Sequence, residues 1–96
     1  MGRILNIYGV GMVVRIYTAT WKCLDRKKAM KFFDRNGIPY IEYDLTNDRK
    51  ALEDFMKKTD FPDSIKSLPV IEIDGNIIHG FDLEKIKVAL KRNGFG

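Results

Sequence analysis

The segment from Val70 to Ile78 constrains the fold more than any other part of the chain. It reads Val-Ile-Glu-Ile-Asp-Gly-Asn-Ile-Ile. Two short apolar runs, Val70–Ile73 and Ile77-Ile78, flank Asp74-Gly75-Asn76. Asp and Gly accept the positive φ values of a tight hairpin turn, so the two runs are expected to pair antiparallel. A hairpin placed after alternating strand and helix segments rules out an all-parallel sheet.

The segments before it alternate in that way. Val13, Val14, Ile16 and Tyr17 form a β-branched and aromatic run interrupted by Arg15, which predicts a short, mostly buried strand. Thr18–Lys22 breaks the pattern. From Leu24 to Asn36 the apolar residues Leu24, Ala29, Met30, Phe32 and Phe33 fall at helical spacing, and Asn36-Gly37 supplies a C-terminal stop. Ile38, Tyr40, Ile41 and Tyr43 predict a second strand, opened by Pro39. Asp44–Asp48 reads as a loop. Arg49–Thr59 carries Leu52, Phe55 and Met56 on one face of a second helix. Phe61–Leu68 is irregular. After the hairpin, Asp82 is a plausible N-cap for a last helix whose Leu83, Ile86, Ala89 and Leu90 face inward, with Asn93-Gly94 as its end. Two strands joined through a helix should be parallel with a right-handed crossover. The expected architecture is a four-stranded mixed sheet, β-α-β-α-β-β-α, with helices on both faces.

Length and composition narrow the function. The 96 residues suit one domain of ordinary globular composition, 45% hydrophobic. Residues 12–96 are read as that domain. Residues 1–11 are either an N-terminal extension or an extra edge strand built on Arg3–Tyr8. The longest apolar run, Val10–Val14, contains a Gly and is far too short to span a membrane. Met1–Val14 lacks the features of a secretory leader, so a cytoplasmic protein is expected. One Cys excludes an internal disulfide, and Cys23 with His79 supplies too few soft ligands for a zinc site, so no metal is expected. A net charge of +4 favours anionic partners only weakly, and the basic Arg26–Arg35 stretch reads as a wet helix face rather than a base-stacking surface. Neither nucleic acid nor membrane is an expected partner, and a monomer is expected.

Three places carry chemistry. Cys23 stands at a strand-to-helix junction, where first-turn N–H groups and the helix dipole favour an anion. Lys22, Arg26 and Lys27 are close in sequence and should lower the thiol pKa. The competing reading is a small buried hydrophobe, the commoner fate of a lone Cys. Leu68-Pro69-Val70 places Pro at the start of a strand, where its missing N–H is tolerated at an edge. With a cis bond, the backbone of Leu68 would be a template for an extended peptide. Gly80-Phe81-Asp82 precedes a helix N-terminus whose free N–H groups suit a carboxylate, although a turn plus N-cap explains the same residues. His79, the only His, has no visible partner and reads as structural or superficial.

Taken in order, these motifs resemble glutaredoxins, small redox proteins of thioredoxin fold, from Val13 to about Arg92. Val14–Thr18 looks like the family's first strand. Cys23-Leu24-Asp25-Arg26-Lys27-Lys28-Ala29 is similar to Cys-Pro-Tyr-Cys followed by two basic residues and Ala. Asn36–Tyr40 resembles the Gly-Ile-Pro-Tyr that opens the next strand, and Leu68-Pro69-Val70 the Thr-Val-Pro segment with its cis proline. Ile73-Asp74-Gly75 and His79–Asp82 resemble the turn and the Gly-Gly-x-Asp glutathione site. The resemblance implies that Cys23 is the nucleophile and that glutathione, the co-substrate, lies against Leu68, Pro69, Gly80, Phe81 and Asp82.

Departures from the pattern shape the expected chemistry. Arg26 stands where the family's second Cys would be, so the implied route is monothiol exchange with glutathione mixed disulfides, of small molecules or proteins. The motif is not Cys-Gly-Phe-Ser, so an iron–sulfur role is not implied. His79 replaces a Gly before Gly80, and Leu83 replaces a usual Asp. Tyr17 lies six residues before Cys23, where the family usually has five. Anchored on the helix, Cys23 takes the nucleophile position; anchored on the strand, Lys22 does. The spacing of Ala29 and the apolar face behind it favours the helix anchor. The alternative reading is a redox-degenerate module that keeps the fold and docks a partner along the Pro69 edge. A resemblance to arsenate reductases or related regulators is less close, because only one helix fits between Asp44 and Leu68.

Overall fold

A computed structural model describes residues 12–94. Residues 1–11, read above as an extension or an edge strand, and residues 95–96 lie outside the described part. The order is β1 (Val14–Thr18), a 3-10 turn (Thr20–Lys22), α1 (Cys23–Arg35), β2 (Ile41–Asp44), α2 (Arg49–Lys58), a second 3-10 turn (Asp63–Ser67), β3 (Val70–Ile73), β4 (Asn76–His79) and α3 (Leu83–Arg92). The strands form one sheet in the order β2-β1-β3-β4. β1 and β2 are parallel, β1 and β3 antiparallel, and β3 and β4 antiparallel. The expected mixed sheet, element order and hairpin are all present. In the hairpin turn Asp74 has φ 47° and Gly75 φ 93°, the two positive values that Asp-Gly accommodates.

Strand alternation sorts the core into two layers. Val14, Ile16, Ile71, Ile73 and Ile78 pack with Ala29 and Phe33 of α1 and with Ile86, Ala89 and Leu90 of α3. On the other face Tyr17 and Val70 pack with Ala51 and Phe55 of α2, together with Ala19, Leu45 and Leu68. Two helices therefore cover one face and a single helix covers the other.

Several local expectations shift. The second strand begins at Ile41 rather than Ile38. Ile38 is buried in the α1–α3 layer before the ladder starts, and Pro39 has no N–H to give a parallel partner. Leu24 is exposed rather than inward, because it lies five residues, about 140° around the helix, from Ala29. Met56 is likewise exposed; Ala51 and Phe55, four apart, form the buried stripe of α2. The irregular stretch before β3 includes the second 3-10 turn, and both Phe61–Pro62 and Leu68–Pro69 are cis.

The α2 face is closed by charge as well as by apolar contact. Glu72 of β3 points to this side and is 6% exposed. Lys58, at the end of α2, reaches Glu72 Oε1 at 2.8 Å, Asp54 Oδ2 at 2.9 Å and the Tyr17 hydroxyl at 3.0 Å. Tyr17 donates to Asp54 at 3.1 Å and its ring stacks on Tyr43 at 5.1 Å. Arg15, directly across from Glu72 in the ladder, approaches the other carboxylate oxygen at 3.4 Å. Burial opposes the charge on Lys58, but the hydrogen bonds to Glu72, Tyr17 and Asp54 outweigh it and raise its pKa. Burial, partly offset by Lys58, raises the Tyr17 hydroxyl, while the hydrogen bond from Lys58 holds the Asp54 carboxyl below its usual range.

Removing one partner of such a buried pair strands the other, at a cost of roughly 3 kcal/mol. Lys58→Met is expected to destabilise by about that amount in urea unfolding, and Lys58→Met with Glu72→Leu by much less. The Asp54 pKa is lower folded than unfolded, so its contribution is present above about 3.8 and lost as pH falls through the folded value. The stability gap between wild type and Lys58→Met should therefore be narrower at pH 2.5 than at pH 7, and an unchanged gap would separate Asp54 from the network.

Candidate functional site

The central β1–β3 pairing determines which segments meet. Tyr17 is opposite Val70, so Thr18–Ala19 and Leu68–Pro69 leave the sheet at the same end. From Ala19 the chain enters the 3-10 turn Thr20–Lys22 and passes directly into α1, with Cys23 as the first α-helical residue. The carbonyls of this 3-10 turn precede the first turn of α1, so it is the helix dipole that favours negative charge at this position.

Pro69 immediately precedes β3. The expected cis Leu68–Pro69 bond is present, and Leu68 is buried at 1% exposure. One expectation is corrected: β3 is an interior strand, flanked by β1 and β4, so Pro69 does not lie on a sheet edge. Among the described residues, β2 and β4 are the edge strands. A partner docking along a Pro69 edge therefore has no open ladder to extend, and only the short segment ahead of β3 is available for backbone recognition.

At the same end, His79 of β4 pairs with Val70, and the chain turns at Gly80. Gly80 has φ 75°, in the left-handed region that disfavours a side chain, and its N–H donates to the Pro69 carbonyl at 2.9 Å. This bond ties the turn to the cis-proline segment. The Phe81 side chain packs on the core with its ring near Phe32, at 6.2 Å. Asp82 caps α3: its Oδ1 accepts from the Lys85 N–H at 3.2 Å. Its own N–H donates to the Gly80 carbonyl at 3.0 Å. The N–H groups of Leu83 and Glu84, at the start of α3, remain directed toward this end of the sheet.

The structure thus brings the start of α1, Leu68–Pro69 and Gly80–Asp82 to one end of the sheet. The basic residues divide. Arg26 reaches toward β2, where Nη1 meets Glu42 Oε2 at 2.8 Å and the Met30 sulfur at 3.7 Å. It helps line a cleft of about 330 Å³ with Thr18, Ala19, Thr20, Glu42 and Asp44. In this cleft Asp44 holds its charge readily, because Asn47 and the Thr46 backbone donate to its carboxylate. Lys27 is exposed to solvent. Grooves of about 280 and 420 Å³ flank α3 and include none of these residues.

Two contributors were not evident in the sequence. Ser67 Oγ lies 2.8 Å from His79 Nδ1 and donates to the Ser64 carbonyl at 2.9 Å. With its proton committed to Ser64, the hydroxyl accepts from Nδ1–H, which selects that His79 tautomer. His79 thus has a partner that the sequence did not show, and the bond ties β4 to the loop that carries Leu68 and Pro69. Glu42 is the second. Twelve positions separate Ser67 from His79 and sixteen separate Arg26 from Glu42, so neither pair leaves a local signal. Among the described residues, no group of three His, Cys, Asp or Glu side chains is arranged to hold a metal ion.

Comparison with known proteins agrees with this geometry. The glutaredoxin family model matches residues 14–78, about two thirds of the chain. The crystal structure of the thioredoxin-like protein BC3987 superposes with a TM-score of 0.68 at 27% identity, covering 80% of this chain and 99% of that one. Glutaredoxin 1 from Francisella tularensis, solved in complex with cacodylate, is 33% identical over 85% of this chain and 91% of its own, with a TM-score of 0.52. No curated protein matches the chain significantly. The family match spans the strand before Cys23, the helix that Cys23 opens and the cis-proline hairpin, and the chain belongs to the glutaredoxin family.

Proposed function

We propose that this protein is a monothiol oxidoreductase that exchanges thiols with glutathione mixed disulfides through Cys23. Glutaredoxins are thiol–disulfide oxidoreductases that generally use glutathione as co-substrate. The observation that carries the reading is the placement of Cys23 at the first position of α1, at the sheet end shared with Leu68–Pro69 and Gly80–Asp82.

The chemistry follows from one thiol. The Cys23 thiolate attacks the glutathione sulfur of a mixed disulfide. A Cys23–glutathione bond forms as the original S–S bond breaks, and the target thiolate leaves and takes up a proton. The thiolate of a second glutathione then attacks the glutathione sulfur on Cys23, forming oxidised glutathione and restoring the Cys23 thiolate. With Arg26 three residues on, α1 offers no second thiol there to resolve the intermediate, which makes the external glutathione necessary. The helix start, with Lys22, Arg26 and Lys27, favours the thiolate, and Glu42 holds the Arg26 guanidinium on the β2 side.

Glutathione is an extended tripeptide with two carboxylates. In this reading its backbone lies against Leu68 and Pro69, and one carboxylate meets the turn Gly80-Phe81-Asp82 and the first N–H groups of α3. Phe81 supports that turn from the core side. The reaction needs a pool of reduced glutathione, so the reducing cytoplasm is the proposed setting, with a monomer as the working unit.

The decisive assay is turnover of a small glutathione mixed disulfide with glutathione, glutathione reductase and NADPH. Wild type is expected to turn over and Cys23→Ser to fall to background; absence of wild-type turnover would overturn the reading. Asp82 separates ligand binding from capping. Asn caps a helix about as well as Asp, whereas Ala costs about 1 kcal/mol. Asp82→Asn should leave the unfolding midpoint nearly unchanged while altering KM for glutathione, and Asp82→Ala should lower the midpoint as well. If Asp82→Asn leaves KM unaltered, Asp82 is a cap alone.

A further inference from the structure

The exposed face of α1 has a pattern that glutathione exchange does not use. Trp21 and Leu24 flank Cys23 in sequence and are 61% and 68% exposed, the two highest values among the large hydrophobic side chains that face solvent. At 100° per residue, Leu24, Lys28, Lys31 and Arg35 fall within an arc of about 60°, with Lys27 beside them. Ala29 and Phe33, which are buried, lie on the opposite side. Lys27, Lys28, Lys31 and Arg35 are all exposed, and none has an ion-pair partner among the described residues. The solvent face of α1 is therefore apolar at the end that begins with Cys23 and basic along the rest of its length.

We propose that this face docks an acidic segment of a protein substrate and so selects which protein disulfides reach Cys23. The inference rests on the thiol-exchange reading for its purpose, but the docking surface is independent of the chemistry. Trp21 and Leu24 receive an apolar residue beside the target cysteine. The cations that follow meet carboxylates further along the substrate. Leu24 and Arg35 are about 16 Å apart along the helix, a distance covered by about five residues of extended chain. The acidic residues are thus placed within about five positions of the cysteine.

Charge complementarity selects this occupant. Glutathione is too short to follow the helix, and its contacts lie on the Pro69 and Gly80 side of Cys23. A nucleic acid would meet the cations but finds one aromatic side chain here, Trp21, on which to stack. An acidic peptide with an apolar anchor satisfies both parts of the stripe.

Trp21 is the only Trp, so its fluorescence reports occupancy directly. The probe is a twelve-residue peptide with Ser at the cysteine position, an apolar neighbour and four Asp or Glu residues in the next five positions. Because it lacks a thiol, its binding is read whether or not Cys23 turns over any disulfide. Titration at low salt should give a saturable change, with Kd at least about tenfold lower than for the same peptide carrying Asn and Gln in place of Asp and Glu. Lys28→Glu with Lys31→Glu should weaken binding at least about tenfold. Lys50→Glu with Lys57→Glu, an equal change of net charge on α2, should leave it within about twofold. Leu24→Ser should weaken it as well. Equal affinity for the amide peptide, equal loss from both charge-reversal pairs, or tighter binding of a twelve-nucleotide oligothymidylate would each overturn the proposal. Loss of disulfide turnover with peptide binding intact would overturn only the thiol-exchange reading.

Discussion

β1 and β3 pair residue against residue at the centre of the sheet, from Val14 opposite Ile73 to Tyr17 opposite Val70. Alternation along these strands assigns Val14, Ile16, Ile71 and Ile73 to one layer and Tyr17 and Val70 to the other. A slip of one residue would exchange the faces and expose an entire apolar set. The same pairing determines which loops meet. Thr18 leads into the turn before Cys23, and Pro69 precedes Val70, so their adjacency follows from the register. Gly80 joins them because β4 pairs with β3 in turn and the Gly80 N–H donates to the Pro69 carbonyl. Three segments far apart in sequence are thus assembled by one ladder and its continuation.

The two faces of the sheet are stabilised differently. The side covered by α1 and α3 is a conventional apolar core. The side covered by α2 alone brings Lys58 into contact with both Tyr17 and Glu72 between helix and sheet. A carboxylate as buried as Glu72 is tolerable only when its charge is met, and Lys58 and Arg15 meet it from two sides. The geometry of this network requires α2 to dock at one position along β3. Apolar contacts through Ala51 and Phe55 would resist sliding less strictly, because dispersion and burial have weak directionality. Tyr17 therefore contributes to the α2 core through its ring and to the charge network through its hydroxyl, one residue before the chain leaves for the site.

Much of this arrangement was legible from short-range pattern. The Asp74-Gly75 turn, the β-branched runs, the Asp82 cap and the Pro69 segment each depend on neighbours within a few residues, and local chemistry specifies them. Boundaries were less legible where a second constraint competed with periodicity. Ile38 belongs to the core without belonging to β2, and Leu24 has the right residue type but the wrong angle. The network of Lys58, Glu72 and Tyr17 was not legible, because its bonded pairs are separated by 14 and 41 positions and each residue looks alone like an ordinary strand or helix residue. The same holds for Ser67 with His79. At the site, the motifs around Cys23, Pro69 and Gly80 were visible, but the interior position of β3 became apparent only once β1 was seen to pair on the side opposite its hairpin partner β4.

Arg26 connects these observations. Three residues after Cys23, where the resemblance puts the family's second thiol, a guanidinium cannot resolve a mixed disulfide, yet it carries permanent charge one helical turn from Cys23. Glu42 fixes where that charge sits, drawing it toward β2. The site is thereby asymmetric. A cation–carboxylate pair lies on the β2 side, and the cis-proline and Gly80 backbone lie on the other. An extended ligand recognised by its backbone and its carboxylates suits the second side. The first side, with Glu42 and Asp44 beside Arg26, is less hospitable to an anion. The cations that have no ion-pair partner among the described residues, and that the proposed acidic partner would meet, lie instead along the exposed face of α1, from Lys27 to Arg35. In the proposed reaction two tasks are thus separated spatially: glutathione would lie beside Pro69, and a protein substrate would approach along the helix that Cys23 begins.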